Sequence, residues 1–381
     1  MTYLDNGATS FPKAPGVGAA MAAYLEHVGV NINRSTYGPA NDAAMAVLDV
    51  RAALKELFAF PGRETHVLFT PGATWGLNQI LRGFLRPGDH VLVSSLEHNA
   101  VMRPLTELAE AGITFTRIPA DRQGITRPGD VAPLLRGNTR LILVSHASNV
   151  CGTVFPLEET AALCREKGIP LAVDAAQTAG HLPIDFGTLG LAALCVPGHK
   201  GLLGPQGIGA LLLREDFAAQ LQPICTGGTG SASDSEIQPP YLPDRFESGT
   251  QNIPGILGLG KGVAFVKETG IAALERHERE RTAQFLEGLK GLPVRLAGLP
   301  DIRGRVGVIS LDFPQMDNAE AAYRLESEFG VLTRCGLHCA PSAHRTLGTF
   351  PQGTVRFSLG WANTPADVDA ALIGIRSICG R

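Results

Sequence analysis

"PGHKGLLGPQGIGALLL", residues 197–213, sets a single lysine, Lys200, between an apolar run and a glycine-rich turn that leads into a second apolar run. The runs on either side, LAALCV (191–196) and GIGALLL (207–213), are short and uncharged and read as buried strands. Ligands of open α/β sheets bind at strand ends, and glycine lets the backbone come close to a ligand. A lysine amine desolvated in such a place has a lowered pKa and is able to form a Schiff base. Taken alone, the stretch reads more readily as a structural turn.

Working outward, the same alternation recurs. HVLFT (66–70), HVLVSS (90–95), ITFTRI (113–118), LILVSH (141–146) and LAVD (171–174) read as strands. Helical apolar spacing fills 75–85, about 99–111 and about 157–167. Strands alternating with helices predict an α/β domain with a mostly parallel sheet. The stretch 225–252, CTGGTGSASDSEIQPPYLPDRFESGTQN, is rich in Gly, Ser, Thr and Pro and reads as a long functional or interface loop. Helices are expected at about 255–267 and 271–290. VGVISLDF, a helix near 318–329, TVRFSL and a last helix from about 365 predict a smaller α+β domain.

Three further strand ends carry polar residues. Asp174 closes the strand in AVDAAQTAG (172–180); a buried carboxylate there needs a cationic partner or else caps a following helix. In LFTPGATWGLNQ (68–79) a strand meets T-P-G-A-T and then a helix, whose N-terminus suits a phosphate, with Thr74 as both cap and ligand. In SSLEHNAV (94–101) His98 follows a strand; it is placed either to lie over a planar ligand and shuttle protons or to be an ordinary loop histidine.

The totals narrow the class. The chain has 381 residues, 44% hydrophobic and 18% charged, with a formal net charge of −3. That suits a two-domain globular enzyme and offers no electrostatic footprint for nucleic acid or an anionic membrane. No uncharged apolar stretch reaches the ~18 residues of a membrane span, and the first residues lack a basic start and apolar core, so a cytoplasmic location is expected. Seven scattered cysteines argue against a disulfide framework. In RCGLHCAP (334–341), Cys335 and Cys339 flank His338, and metal ligands, a redox pair, packed cysteines or one reactive thiolate are all open readings. No second cysteine/histidine cluster completes a zinc set, so no metal is expected.

Taken together, YLDNGAT near the start, T-P-G-A-T, LEHNA, SHASNVCGT, VDAAQTAGH, GHKGLLGPQGIG, RFESGTQN, RCGLHCAP and TVRFSLGWANT resemble the class V, fold-type I pyridoxal-phosphate enzymes, within them the cysteine desulfurase/selenocysteine lyase group. The matches run from residue 3 to 364. The resemblance implies a PLP-dependent transferase fold of type I: a large domain, 16–270, with a mostly parallel seven-stranded sheet, and a small domain of 1–15 and 271–381. It implies pyridoxal 5'-phosphate on Lys200, with Asp174 at the ring nitrogen, Gln177 at the phenolic oxygen and His98 stacked on the ring. Ala73 through its backbone, Thr74, His199, and Thr250 from a partner subunit would hold the phosphate. Asn149 and Arg356 would grip the substrate carboxylate, and Cys339 would form a persulfide.

The implied reaction turns L-cysteine into L-alanine; L-selenocysteine lysis, or class V aminotransferase or other lyase chemistry, is the alternative. A homodimer with its active site at the subunit interface and a sulfur-acceptor protein are the implied partners. Arg334, His338 and the cofactor region are the expected source of positive charge for Cys339. The chain departs from the pattern at Pro197, where a serine often binds the phosphate; Thr229 is a candidate replacement. Leu337 stands where a second histidine is common, and Cys151, near Asn149, reads as a packed cysteine.

Overall fold

The computed structural model describes residues 1–32 and 37–380. The chain opens with β1 (Thr2–Tyr3), α1 (Val17–His27) and α2 (Gly38–Leu57). The alternating part follows: β2 (Val67–Thr70), α3 (Ala73–Phe84), β3 (His90–Ser94), α4 (Asn99–Glu110), β4 (Thr114–Ile118), β5 (Thr139–Ser145), α5 (Leu157–Lys167) and β6 (Leu171–Asp174). It continues through α6 (Phe186–Leu189), β7 (Ala193–Pro197), β8 (Gly209–Leu213) and α7 (Glu215–Ala218). After a stretch without helix or strand come α8 (Ile253–Thr269), α9 (Ile271–Gly288), β9 (Arg295–Ala297), β10 (Val308–Asp312), α10 (Asn318–Phe329) and β11 (Val331–Leu332). The chain closes with β12 (Arg334–Gly336), α11 (Pro341–Leu347), β13 (Thr354–Ser358) and α12 (Pro365–Ile378).

The large sheet has seven strands in the order β2-β8-β7-β6-β5-β3-β4. β8 runs antiparallel to both of its neighbours, and the other adjacent pairs are parallel. The six parallel strands therefore end along one edge. After β4 the chain returns to the other side of β3 to lay down β5, so the order reverses between β3 and β5. Such a reversal opens a crevice at the carboxyl ends.

The apolar runs are continuous because both faces are covered. Ile142 and Val144 pack with Leu54 of α2, Phe58 just after it, and Ile256 and Leu259 of α8. Their neighbours Leu141 and Leu143 point the other way, to Leu77 and Ile80 of α3 and Leu105 of α4. Each such side chain contributes about 1.5–3 kcal/mol on burial. A second sheet, β12-β13-β10-β9, is antiparallel, and β1 pairs with β11. Its core joins Ile309 and Phe357 to Phe285 of α9, Leu325 of α10 and Ile375 of α12.

The predicted strands are all present, with every end within two residues of the one expected; β5 starts two residues early and β6 matches. α8 starts at Ile253 because the Asn252 side chain accepts from Gly255 N–H at 3.0 Å and caps it. α1 and α2 are not among the helices expected from sequence. The buried residues of α1 are Val17 and Tyr24 alone, which make no stripe, whereas α2 buries Ala40, Ala43, Val47, Val50 and Leu54 at helical spacing, a stripe the sequence does carry.

Candidate active site

Four polar groups reach the crevice because strands end there. β6 ends on Asp174, which is 5% exposed; its Oδ1 accepts from Ala176 N–H at 2.9 Å in a tight turn, with no helix to cap. Burial pushes its carboxyl pKa up, against the opposing pull of the Ala176 N–H and of Lys200. β7 ends on Pro197, and Lys200 follows on a turn wedged between other backbone segments. A Cβ at Gly201 would sit 2.3 Å from the Ala179 carbonyl oxygen, and one at Gly198 2.8 Å from that of Ile208. This turn admits only glycine at those positions. Burial, helped by Arg356 and Arg334 and opposed by Asp174, lowers the Lys200 pKa to about 8.

His98 follows β3 and caps α4: its Nδ1 accepts from Ala100 N–H at 3.0 Å, which puts the neutral ring's proton on Nε2. Burial first, then Lys200 and nearby arginines, pushes its pKa down to about 4. α3 begins at Ala73 with no side-chain cap; its N-cap is Gly72, so Thr74 sits inside the first turn and is not the cap expected from sequence.

Arg356 comes from β13 and is 2% exposed. Its Nη1 donates to the Asn149 carbonyl at 3.1 Å and its Nη2 pairs with Asp5 Oδ1 at 2.8 Å. Asn149, after β5, donates from Nδ2 to the His338 carbonyl at 2.7 Å. That carbonyl immediately precedes Cys339. His338 and Cys339 both take positive φ, +48° and +57°, a conformation costly for residues with a Cβ. The loop is held by Asn99 N–H on the Cys339 carbonyl at 2.7 Å, Ala340 N–H on that of Leu337 at 2.8 Å, and His338 Nε2 on Thr354. The Cys339 side is thereby exposed to solvent while its backbone is fixed.

One cavity of about 690 Å³ collects these groups. Ala73, Thr74, His98, Asn149 and Asp174 line it, as do Gln177, His199, Lys200, Cys339 and Arg356.

A family model for "Aminotransferase class-V" matches residues 2–371. The chain belongs to the class-V aminotransferase family. Among its relatives, a probable cysteine desulfurase of Methanothermobacter thermautotrophicus is 30% identical over 384 residues, spanning 99% of this chain and 94% of that one. An apo cysteine desulfurase structure from Thermococcus onnurineus superposes with a TM-score of 0.92 at 28% identity, covering 99% of this chain and 94% of that chain. The S-sulfonic acid form of an Escherichia coli cysteine desulfurase gives 0.87 at 25% identity, covering 98% and 94%. The fold is that of the type I PLP-dependent enzymes, with the large mostly parallel sheet and smaller α+β part expected from sequence.

Within this family fold, Thr250 is the one anticipated site residue outside the cavity; it is exposed on the 219–252 loop. Thr229 does not line the cavity either. It is buried against its own loop, 3.1 Å from Ser231 Oγ, so within one chain it does not replace the group lost at Pro197, which does line the cavity. His338 does not supply charge to Cys339: it is 5% exposed and burial drives its pKa far down, so it stays neutral, and the cations that share the cavity with the thiol are Arg334, Arg356 and Lys200. Cys335 packs against the core of the smaller sheet and Cys151 is buried in a separate apolar cluster; neither lines the cavity. Sequence reading gave no role to Asp5 or Gly7. Asp5 pairs with Arg356, and Gly7 lines the cavity and accepts from Gln177 Nε2 at 3.1 Å. YLDNGAT carried that signal, but its contacts lie some 350 positions away, at Ser358 and Arg356.

Proposed function

We propose that the protein is a PLP-dependent cysteine desulfurase that converts L-cysteine to L-alanine and holds the sulfur as a persulfide on Cys339. The observation that carries this reading is an exposed thiol on a pinned loop, in one cavity with a lysine of lowered pKa and a buried carboxylate. The names of the relatives support it.

The residues fit pyridoxal 5'-phosphate. Among the described residues Asp174 is buried with a single backbone hydrogen bond and no ion pair, which a protonated ring nitrogen would complete. His199 Nδ1 is buried without a partner among the described residues, and His199 lines the same cavity as the uncapped start of α3, where Ala73 N–H, Thr74 and the helix dipole favour a phosphate. When bound, the cofactor supplies the electron sink for the substrate's α-carbon. Gln177 would reach its phenolic oxygen, His98 its ring face, and the partner subunit's equivalent of Thr250 its phosphate.

Arg356 binds the substrate carboxylate through the donors left over from Asp5 and Asn149. Lys200, near neutrality, takes the α-proton and returns protons to carbon. The Cys339 thiolate attacks the substrate sulfur: an S–S bond forms, the C–S bond breaks, and its electron pair stays on carbon, which takes a proton. Cysteine and the Cys339 thiol thus become alanine and the Cys339 persulfide. His98 Nε2–H stands in the same cavity as a neutral donor.

The separate apolar cores support a division into 16–270 and 1–15 with 271–381. Exposed Met45, Leu48 and Trp75 and exposed Thr250 support a homodimer with shared sites, and exposed Cys339 supports delivery of sulfur to an acceptor protein. Among the described residues no helix is long and apolar enough to cross a membrane; we place the reaction in the cytoplasm. The test is incubation with L-cysteine and a reductant, with sulfide and alanine measured together. Equal amounts of both are expected; alanine without sulfide, or neither, overturns the reading.

A further inference from the structure

Behind Lys200 lies a second, much smaller cavity of about 10 Å³, the room of a single water. Lys200, His181, Glu278, Ser10 and Asn6 are among its walls. His181 Nδ1 and Glu278 Oε1 are 2.6 Å apart, and their side chains are 16% and 7% exposed. A third cavity, also about 10 Å³, is walled on one side by this same pair and on another by Glu275 and Arg279. Glu275 and Arg279 in turn line an open surface groove of about 440 Å³, which shares no residue with the substrate cavity.

The geometry is specific about the ring. Nδ1–H donates to the Glu278 carboxylate, which leaves the Nε2 lone pair of the neutral ring facing the lysine turn. A Cβ at Gly201, the residue after Lys200, would lie 2.4 Å from His181 Nε2, and one at Gly180 2.2 Å from the Gly201 carbonyl oxygen. Two glycines thus let the imidazole edge press against the lysine turn. Burial works against a charged ring, and the charge and hydrogen bond of Glu278 outweigh it, so the His181 pKa ends above its usual value despite Lys200. Imidazole is the side chain whose ordinary pKa lets it accept and release protons near neutrality.

We propose that His181 and Glu278 form a proton relay that joins Lys200 to the α9 surface groove, separate from the substrate entrance. The proposal rests on Lys200 being the proton-transferring amine of the reaction above. When substrate fills the large cavity, the front of Lys200 is covered and this is its route to solvent. The ammonium of Lys200 gives a proton to His181 Nε2, directly or through one water in the small cavity: one N–H bond breaks and another forms. The Nδ1 proton passes to Glu278, whose carboxyl loses it to the groove. The reverse sequence reloads the amine, and no electrons change hands. The charged groups around the ring are Glu278, Glu275 and Arg279 from α9, Lys200 from its turn, and Arg305 ahead of β10.

The test uses exchange of the α-hydrogen of L-alanine in D2O, a reaction that needs the lysine but not Cys339. Wild-type holoenzyme should wash deuterium into alanine. Glu278→Gln and His181→Asn should do so about a hundredfold more slowly with the visible absorption of bound cofactor unchanged, the low end of a proton-transfer contribution. A second readout needs no turnover. In the cofactor-free full chain labelled at histidine with ¹⁵N, Lys200→Met should move the His181 titration upward, since the lysine charge opposes the ring's. Equal exchange in wild type and in variants that hold cofactor overturns the relay, as does a His181 titration that ignores Lys200. If a variant fails to hold cofactor, the NMR comparison decides. Absence of exchange in the wild type overturns the reading of Lys200, and the relay with it.

Discussion

Asn149→Ala separates two tasks open to a residue in this place, gripping substrate and holding the nucleophile's loop. Its Nδ2–H meets the His338 carbonyl at 2.7 Å, and Asn149 is 8% exposed. His338 and Cys339, at φ +48° and +57°, each cost about 1–3 kcal/mol of backbone strain. The surrounding hydrogen bonds offset that cost, and this is one of the shortest. Its removal leaves a buried carbonyl unpaired, a loss of about 1–3 kcal/mol, and frees the loop to relax away from the strained form. If that loss falls on the presentation of Cys339, sulfide release should drop by about 5- to 150-fold, at 1.36 kcal/mol per tenfold. Alanine α-exchange should stay within about threefold of wild type, because Arg356 keeps its hydrogen bond to the Asn149 backbone carbonyl, which the substitution spares. Both rates are measured on the same preparation, with cofactor content checked by absorption. A matched fall in both, driven by a raised KM for alanine, refutes loop support and restores the carboxylate grip.

Cys339→Ala should nearly abolish sulfide release while Cys335→Ala keeps most of it, because only Cys339 lines the cavity and is exposed. Mass spectrometry after one turnover should find about 32 Da, one sulfur atom, on the Cys339 peptide and lost on reduction; the same mass on Cys335 refutes the assignment. Gly201→Ala should destabilise by about 3 kcal/mol or more and lose cofactor, since the new methyl meets the Ala179 carbonyl and His181 at 2.3 and 2.4 Å; a denaturation midpoint like wild type's contradicts this. Stability should fall on acidification. Burial holds His98, His146, His199 and His344 down to about 4, against about 6.5 in the unfolded chain. The unfolded state therefore binds more protons between those values, and stability present above pH ~6.5 is lost as pH falls toward ~4. Glu97, pushed up to about 7 by burial, and Asp174 and His181, also raised, act in the opposite sense. The lowered histidines, with His66, His90 and His338 added to the four, outnumber them. A thermal midpoint at pH 5 equal to that at pH 7.5 rules this out.

The sequence alone determined the α/β alternation, because buried parallel strands are written as unbroken apolar runs, and their ends are marked by Asp174, His98, Thr74 and Lys200. Those signals are local: residue type, spacing and the glycines of a tight turn. α1 escaped notice because it buries only Val17 and Tyr24, while the stripe of α2, Ala40, Ala43, Val47, Val50 and Leu54, is legible and partly made of small alanines. What tertiary structure decided was charge state and partnership. His338 and His98 look alike in sequence, yet one is sealed beneath the cysteine loop with Nε2 on Thr354, and the other caps a helix with its Nε2 proton left available. Asp5 and Arg356 meet although 351 positions separate them, and Asn149 reaches His338 across 189. Cys335 and Cys339, four residues apart, part company because one side chain packs into the core of the smaller sheet while the other follows two left-handed residues out to solvent. Burial and long-range pairing set pKa values and loop geometry, and neither is a property of a residue's neighbours along the chain.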